Sequence, residues 1–351
     1  MDNYNITDVA LQSAKDILFA LCKESGVSGN EGRLFSLCKS LLPQNLDVTT
    51  DINGNIITVL GNQNADKTIL LDAHIDQIGM RVTGIKDGFL RVANCGGVDA
   101  RVLQGSYVTI HGKADIKGIV TCTPPHLSNG SEDKATPTDK LWIDTGYTQD
   151  EVRQLVDLGD TVTMYSNPKE LLNNRVSSVA TDNRASVTAL ILTAIALNEC
   201  DLNCKVILVF SSREETNALG AKTSAFKFDI DEAISLDVSF AEQPNLKYST
   251  AGKLGGGPMI CISSTLNKAI SNELIAICKR ENIPYQIEVC AGTTGTNADH
   301  IVTTKSGVKT ALISIPQKNM HTQSEIVDLK DIVSLSGLLS AFIKQGGTKN
   351  V

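Results

Sequence analysis

Hydrophobic and polar positions follow two periodicities near the start of the chain. Apolar residues at helical spacing predict a helix over Asp8–Lys23. Near-continuous runs of Ile, Val and Leu at residues 55–60 and 67–73 predict strands. Because such unbroken runs are typical of strands buried on both faces of a parallel sheet, this part of the chain predicts an α/β arrangement.

The pattern changes between residues 77 and 172, where short β-like runs alternate with turn signals such as Asp87-Gly88 and Pro124-Pro125. Only residues 149–158 have a helical pattern there. The predicted strands lie at residues 89–92, 107–110, 119–122, 141–143 and 161–164. This segment therefore predicts a small β-rich domain.

Alternating helices and strands return after Asn174. Helices are predicted at 183–198, 267–281 and 328–344, and strands at 205–210, 233–236, 259–263, 285–289 and 310–315. This order predicts an α/β fold with a mostly parallel, doubly wound sheet and helices on both faces. We expect a discontinuous α/β domain, residues 1–76 and 173–351, with the β-rich segment 77–172 inserted into it.

Composition and charge narrow the function classes. The chain has 351 residues and a formal net charge of −7, which argues against a nucleic-acid partner or an anionic membrane, since both need a basic surface. No apolar run reaches the roughly 20 residues that span a bilayer. The start of the chain has no basic region followed by an apolar run. The nine cysteines include no CxxC motif and are predicted to be buried free thiols, so we expect a cytoplasmic protein.

Histidines and carboxylates follow several of the predicted strands or open a helix. They are His74 and Asp76, Asp182, Glu214 and Glu215, Asp237, and His321. In open α/β sheets, ligands gather outside the carboxyl ends of the strands, so these side chains are expected to converge. Each feature alone has an ordinary explanation: a strand-end histidine, a helix N-cap at Asp182 or a solvated loop pair. Their joint placement is what predicts a functional site.

The residue types in this set suit a two-metal site. Histidine with carboxylate favours divalent ions such as Zn, Co or Mn. Metals about 3.5–4 Å apart share a ligand, so one carboxylate is expected to bridge them. Glu214 and Glu215 are adjacent, and neighbours on a regular strand point to opposite sides. One of the two can therefore bind metal while the other takes a proton from water.

Around these residues the sequence resembles the glutamyl-aminopeptidase and tetrahedral-aminopeptidase family, also labelled cellulase M. The matching stretches are 71–79 (LDAHIDQIG), 180–184 (ATDNR), 213–215 (REE), 219–221 (LGA), 236–238 (LDV) and 320–321 (MH). Further landmarks are 28–31 (SGNE), 51–56 (DINGNI), 124–126 (PPH) and 255–258 (GGGP). The resemblance runs nearly from end to end, and the order of the motifs is specific.

The resemblance implies a zinc-peptidase-like fold and an aminopeptidase that acts on short peptides with two divalent metal ions. It implies metal ligands at His74, Asp182, Glu215, Asp237 and His321. Asp182 would bridge the two ions and precede a cis peptide bond, Glu214 would be the general base, and Asp76 would support His74. The resemblance also implies that the inserted domain mediates dimerisation in a homo-oligomer, which is often a dodecamer.

Two departures from the family pattern bear on substrate choice. Residues 320–323 are MHTQ where family members often have MHSP, and residues 295–298 are GTNA where they often have GTDA. We expect both differences near the substrate pocket.

Three alternative functions stay open at this stage. A glycoside hydrolase is disfavoured because sugar clefts usually present aromatic platforms, whereas aromatic residues make up 4% of this chain and Trp142 is its single Trp. A non-catalytic binding protein would be expected to lose a ligand or the base, and none is missing. A related two-metal deacylase or carboxypeptidase would share the same ligands.

Overall fold

The computed structural model describes residues 6–127, 135–244, 246 and 251–349. In these residues it contains the helices α1 (Asp8–Lys23), α2 (Gly32–Leu41), α3 (Gln149–Leu155), α4 (Thr181–Leu197), α5 (Glu214–Asn217), α6 (Leu219–Lys227), α7 (Lys268–Arg280), α8 (Ala298–Ile301) and α9 (Leu329–Lys344). No helix in the described parts is both long and apolar enough to cross a membrane.

The strands before the large helix α4 are β1 (Val48–Thr50), β2 (Ile56–Gly61), β3 (Thr68–His74), β4 (Gly79–Lys86), β5 (Phe89–Cys95), β6 (Tyr107–His111), β7 (Asp115–Val120), β8 (Trp142–Asp144), β9 (Thr161–Met164), β10 (Lys169–Glu170) and β11 (Arg175–Ser178). Those after it are β12 (Lys205–Ser211), β13 (Glu232–Phe240), β14 (Met259–Ser263), β15 (Gln286–Cys290), β16 (Lys309–Gln317) and β17 (Glu325–Asp328).

The predicted α/β fold class is confirmed. One eight-stranded sheet has the order β1-β2-β12-β3-β13-β16-β14-β15, and its four central strands, β12, β3, β13 and β16, are parallel. The edges depart from the expectation, because β2 runs antiparallel to β12, and β14 runs antiparallel to β16. The apolar run of β2 therefore reflects burial on both faces of the sheet rather than strand direction.

Helices cover both faces of this sheet. Along β3, Ile69 and Leu71 belong to the core shared with α1, α4 and α9, whereas Leu70 packs into a smaller core with α6. Alternate residues of a strand point to opposite faces, so a strand covered on both sides needs apolar residues at every position. The run Ile69-Leu70-Leu71 meets that need, and the residues that follow the strand lie at the rim of the sheet.

A closed antiparallel barrel is formed by the six strands β4-β5-β8-β7-β6-β9, which all lie within residues 79–164. The barrel has its own hydrophobic core, which includes Leu90, Val108, Ile143 and Val162. The sequence pattern missed β4, whose glycines and charged residues interrupt its alternation. Strand β10 lies near the end of the predicted insert and pairs with β11, which in turn pairs with β17.

The start of α4 differs from the predicted N-cap at Asp182. The capping position is Ala180, with a φ of +62°, and Asp182 itself has non-helical backbone angles. The peptide bond between Asp182 and Asn183 is cis, as the family resemblance implies. A helix N-cap therefore does not account for Asp182, whose side chain turns to the rim of the sheet instead.

No disulfide bond joins the nine cysteines, all of which lie in the described residues, but the prediction that all are buried is wrong. Cys122 is exposed, and Cys95, Cys200 and Cys290 are half-buried. Cys122 lies two residues beyond the end of the barrel strand β7.

Candidate metal centre

The seven candidate residues come together at one rim of the eight-stranded sheet. His74 is the last residue of β3, beside Ser211 of β12. The parallel neighbour β13 carries Asp237, one position beyond the residue paired with Ala73. The remaining candidates are Asp76 after β3, Asp182 at the start of α4, Glu214 and Glu215 in α5, and His321 beyond β16. The convergence expected from the sequence is thus present in the structure.

The first group of potential ligands is deeply buried. The Nε2 atom of His74 lies 3.2 Å from Oδ1 of Asp182 and 3.6 Å from Oδ1 of Asp237. The His74 side chain is 2% exposed and the two aspartates are 7% and 8% exposed. These three residues can therefore present one nitrogen and two oxygens to a single ion.

The second group uses the other oxygen of Asp182. Oδ2 of Asp182 lies 3.3 Å from Nε2 of His321, which is 3.5 Å from Oε2 of Glu215. The Nδ1 atom of His321 lies 3.0 Å from the carbonyl oxygen of Gly97. If Nδ1 donates to that carbonyl, the lone pair of Nε2 is free to bind a metal.

These distances fit divalent metal ions. Ligand atoms about 2.0–2.2 Å from a tetrahedral zinc lie roughly 3.3–3.5 Å from one another, and the separations in both groups are close to that value. Oε1 of Glu215 is buried without a hydrogen-bond partner among the described residues. A buried acceptor without a partner is costly, and a cation would satisfy it. The residues present therefore fit two divalent ions, with Asp182 facing both positions.

Glu214 lies beside the first group without belonging to either set of three ligands. Its Oε2 atom is 4.0 Å from Nε2 of His74. The expectation that strand alternation separates Glu214 from Glu215 is wrong, because the strand ends at Ser211 and both glutamates lie in the short helix α5. Arg213, with a φ of +58°, turns the backbone between the strand and that helix. The left-handed turn, not strand alternation, directs both carboxylates toward the cluster.

Asp76 connects three elements behind the cluster. One of its oxygens lies 3.5 Å from Nδ1 of His74. Its carboxylate also accepts hydrogen bonds from the backbone N–H groups of Glu214 (2.9 Å) and Glu215 (3.2 Å) and from the Ser28 hydroxyl (2.6 Å). Asp76 therefore positions α5 as well as lying beside His74, and Ser28 explains why the 28–31 stretch accompanies the site.

The acidic cluster raises the pKa of both histidines, which favours their protonated forms. Burial lowers the pKa of His74, but Asp182, Asp237 and Asp76 outweigh burial and raise that pKa well above its usual value. Burial also lowers the pKa of His321, and Asp182 and Glu215 reverse this and raise it to about 10. Burial raises the pKa of Asp182, but the two histidines outweigh it and hold that pKa below its usual range.

The pKa values of the two glutamates are raised as well, which favours their neutral forms. Burial raises the pKa of Glu214 to about 8, and nearby Asp237 and Asp76 add to the shift against the effect of His74. Burial raises the pKa of Glu215 well above its usual value, and the charge of Asp182 adds to it. Carboxylates crowded in this way compete for protons, and bound divalent ions would supply the missing positive charge.

Sequence reasoning missed Glu325, a buried carboxylate at the start of β17. Its Oε2 atom accepts hydrogen bonds from Thr181 Oγ1 and the N–H of Asp182, both 3.1 Å, and its Oε1 atom accepts from the N–H of His321 at 3.0 Å. His321 has a φ of +63°, a conformation that costs a non-glycine residue energy and needs such support. No local pattern marks Glu325, because its partners lie in other elements.

The residues that depart from the family pattern, Asn297, Thr322 and Gln323, are not among the residues that line the cavity at the cluster. A cavity of about 810 Å³ opens from the cluster and is lined by residues that include Thr294, Gly295 and Met320. Asn297 is buried, and its amide donates to Asp72 (2.8 Å) and Ser211 (2.9 Å) behind the rim. The expected effect of Asn297 on substrate choice is therefore indirect.

Comparisons with known proteins agree with this geometry. The sequence profile of the M42 glutamyl aminopeptidase family matches residues 54–338. A lysyl aminopeptidase from Pyrococcus furiosus is 29% identical over 94% of this chain and 96% of its own length.

Solved structures show the same similarity. Aminopeptidase APDkam598 from the archaeon Desulfurococcus kamchatkensis is 30% identical with a TM-score of 0.89, covering 96% of each chain. The Pyrococcus horikoshii TET1 peptidase, which can assemble into a tetrahedron or a large octahedral shell, is 30% identical with a TM-score of 0.83, covering 95% of this chain and 99% of its own. The chain belongs to the M42 glutamyl aminopeptidase family and is a peptide hydrolase.

Proposed function

We propose that this protein is a metal-dependent aminopeptidase that removes N-terminal residues from short peptides. The observation that carries the proposal is the position of the Asp182 carboxylate between the two histidines. Its Oδ1 lies 3.2 Å from His74 Nε2, and its Oδ2 lies 3.3 Å from His321 Nε2. A carboxylate placed in this way is suited to bridge two ions, which is the arrangement of two-metal hydrolases. Zn, Co and Mn all suit the nitrogen and oxygen ligands present.

Each residue has a distinct proposed role. His74 and Asp237 complete one metal position, and Glu215 and His321 complete the other. When bound, the two ions would lower the pKa of a shared water and polarise the peptide carbonyl. Asp76 is a positioning residue that fixes His74 and the backbone of α5.

Glu214 is the proposed general base. Its carboxylate lies 4.0 Å from Nε2 of His74 and lines the same cavity as both groups of ligands. A carboxylate next to the attacking water, but outside the ligand sets, can accept the water's proton and deliver it to the leaving amine. Its 14% exposed side chain keeps it accessible from the cavity.

We also propose that residues 77–172 form an inserted dimerisation domain on a catalytic domain made of residues 1–76 and 173–351. The separate core of the barrel supports this division. Exposed apolar side chains on the barrel, including Tyr107 (62%) and Ile119 (43%), support a protein contact there. The assembly of the TET1 peptidase into a tetrahedron or an octahedral shell, and the dodecamer seen for PhTET1-12s, support a homo-oligomer built from such dimers, up to a dodecamer. The nine cysteines, which form no disulfide bond in the described residues, support a reducing, cytoplasmic environment.

An assay on aminoacyl p-nitroanilides and short peptides tests the catalytic proposal. The purified full chain is stripped with a chelator and reconstituted with Zn, Co or Mn. We expect release of N-terminal residues only after metal is added and only from substrates with a free α-amine. Release of C-terminal residues, or cleavage of N-acetylated substrates alone, would identify a carboxypeptidase or deacylase instead.

A second assay addresses the remaining alternatives. Release of reducing sugar from cellulose without peptide cleavage would support a glycoside hydrolase, and peptide binding without turnover under every metal would support a non-catalytic protein. Glu199→Gln, in an exposed turn after α4, is a control with the same change of charge as a substitution at Glu214.

A further inference from the structure

One buried carboxylate in the cavity has no role in the proposed metal chemistry. Glu288 of β15 lines the same cavity as the ligand cluster, and only 3% of its surface is exposed. Among the described residues that line this cavity there is no lysine or arginine. Beyond the ligand cluster, the acidic residues Glu288 and Asp299 line this cavity, and the basic residue beside them is His300.

The surroundings of Glu288 leave its charge uncompensated. It accepts hydrogen bonds from the hydroxyls of Ser239 and Ser314, the latter at 3.3 Å. No basic side chain lies within salt-bridge distance of it in the described parts of the chain, and burial raises its pKa. Holding a carboxylate inside a protein without a cation is costly, so a ligand that brings a positive charge gains from this position.

The other acidic residue of the wall, Asp299, is already engaged. Its carboxylate accepts the N–H groups of Thr294 (2.9 Å) and Gly295 (2.8 Å) and the hydroxyl of Thr294 (3.0 Å). Asp299 therefore holds the 293–296 loop in place. Glu288, with two neutral hydroxyl partners, is the better placed of the two to receive a ligand.

The spacing along β13 matches the length of a basic side chain. Asp237 and Ser239 are two residues apart on one strand, so their side chains lie on the same face about 6.5 Å apart. Ser239 contacts Glu288, and Asp237 belongs to the ligand cluster. An extended lysine side chain places its ammonium about 6 Å from its Cα, as five successive bonds of ordinary length require. An N-terminal lysine bound at the cluster can therefore reach Glu288.

We propose that Glu288 is a specificity-determining residue that selects peptides whose N-terminal residue is basic. The proposal rests on the aminopeptidase function proposed above. Lysine and arginine at the N-terminus gain a charge-assisted hydrogen bond with Glu288, whereas glutamate and aspartate meet repulsion from the acidic side chains of the cavity.

The wild-type protein tests the proposal through three p-nitroanilides, those of lysine, norleucine and glutamate. Norleucine has the four side-chain carbons of lysine but lacks the terminal ammonium. We expect kcat/KM for lysine to exceed that for norleucine by about 10- to 100-fold, the worth of a hydrogen bond to a charged group. Glutamate is expected to be the poorest substrate of the three.

Two variants separate charge from structure. Glu288→Gln should lower kcat/KM for the lysine substrate by about 10- to 100-fold and change kcat/KM for the norleucine substrate by no more than about twofold. Glu288→Asp retains the carboxylate and should keep part of the preference for lysine. Glu199→Gln serves as the matched control and should leave kcat/KM unchanged for all three substrates. Turnover of norleucine reports whether each variant is folded and loaded with metal.

Two results would overturn the proposal on Glu288. One is a higher kcat/KM of the wild type for the norleucine or glutamate substrate than for the lysine substrate. The other is an equal loss of kcat/KM for the lysine and norleucine substrates in Glu288→Gln. Those results leave the aminopeptidase function intact, because at least one substrate is still cleaved. A protein that cleaves none of the three with any metal contradicts the proposed function itself, and the specificity proposal then falls with it.

Discussion

The two halves of the candidate metal centre differ in burial and in the elements that hold them. His74 and Asp237 come from adjacent central strands and are 2% and 8% exposed. On the other side, His321 lies in a loop and is 31% exposed, and Glu215 lies in the short helix α5. The first half is thus part of the sheet, and the second is attached to it by hydrogen bonds.

The two histidines on either side of the shared Asp182 carboxylate are therefore held in place by different kinds of contact. Asp182 belongs to both halves, so the two positions are linked at one residue. The backbone of His321 has a φ of +63° and depends on Glu325, whereas His74 is fixed by strand pairing with β12. We therefore expect both ions to need Asp182, but only the second to depend strongly on Glu325.

The largest expected effect is that of Asp182→Ala. Removing the shared carboxylate takes one ligand from each half, so metal content should fall at both positions together. Activity should drop by about 10⁴-fold, since each ion stabilises the transition state by several kcal/mol. Elemental analysis of the desalted protein, with exposed Asp201→Ala as the control, measures the change. Loss of a single ion would show that Asp182 does not bridge.

Glu214→Gln should affect turnover without affecting either half as a binding site. We expect kcat to fall by about 10²–10⁴-fold, the usual contribution of a general base, with two ions retained. Steady-state kinetics and metal analysis on the same preparation provide the test. Wild-type turnover in this variant would rule out Glu214 as the base.

Glu325→Gln should separate the halves. Its Oε1 atom accepts the N–H of His321, and an amide can no longer offer two acceptor oxygens to the groups around it. We expect about 10- to 100-fold weaker binding of one ion, a typical effect of losing an outer hydrogen-bond partner. Titration of the stripped protein with metal, followed by calorimetry, should show one weakened site and one unchanged site. Equal weakening of both would contradict the difference between the halves.

The smallest effect concerns the timing of metal release. His321 is 31% exposed, more than any ligand of the first half, so a chelator should remove the two ions in two phases, with the His321 position emptied first. Stopped-flow release into a coloured chelator measures the phases, and Glu325→Gln should speed the first phase alone. A single phase in both proteins would mean that the two positions exchange as a unit.

The barrel and the eight-stranded sheet were predictable from the sequence to different degrees. Buried runs such as that of β3 have a local signature, so most strands of the sheet were placed within one or two residues. Strand β4 of the barrel was missed, because its two glycines and charged residues give no regular alternation. It is a strand only because β5 and β9 pair with it on either side.

The sequence by itself determined the α/β class, the seven candidate residues and the family, because residue types after buried strands and the order of motifs are local properties. Tertiary structure alone decided how the side chains of those residues are arranged around the cluster. The separation of the two Asp182 oxygens, the placement of both glutamates on α5 and the support from Glu325 arise from contacts between distant segments. Side-chain direction depends on such contacts, and no spacing along the chain encodes them.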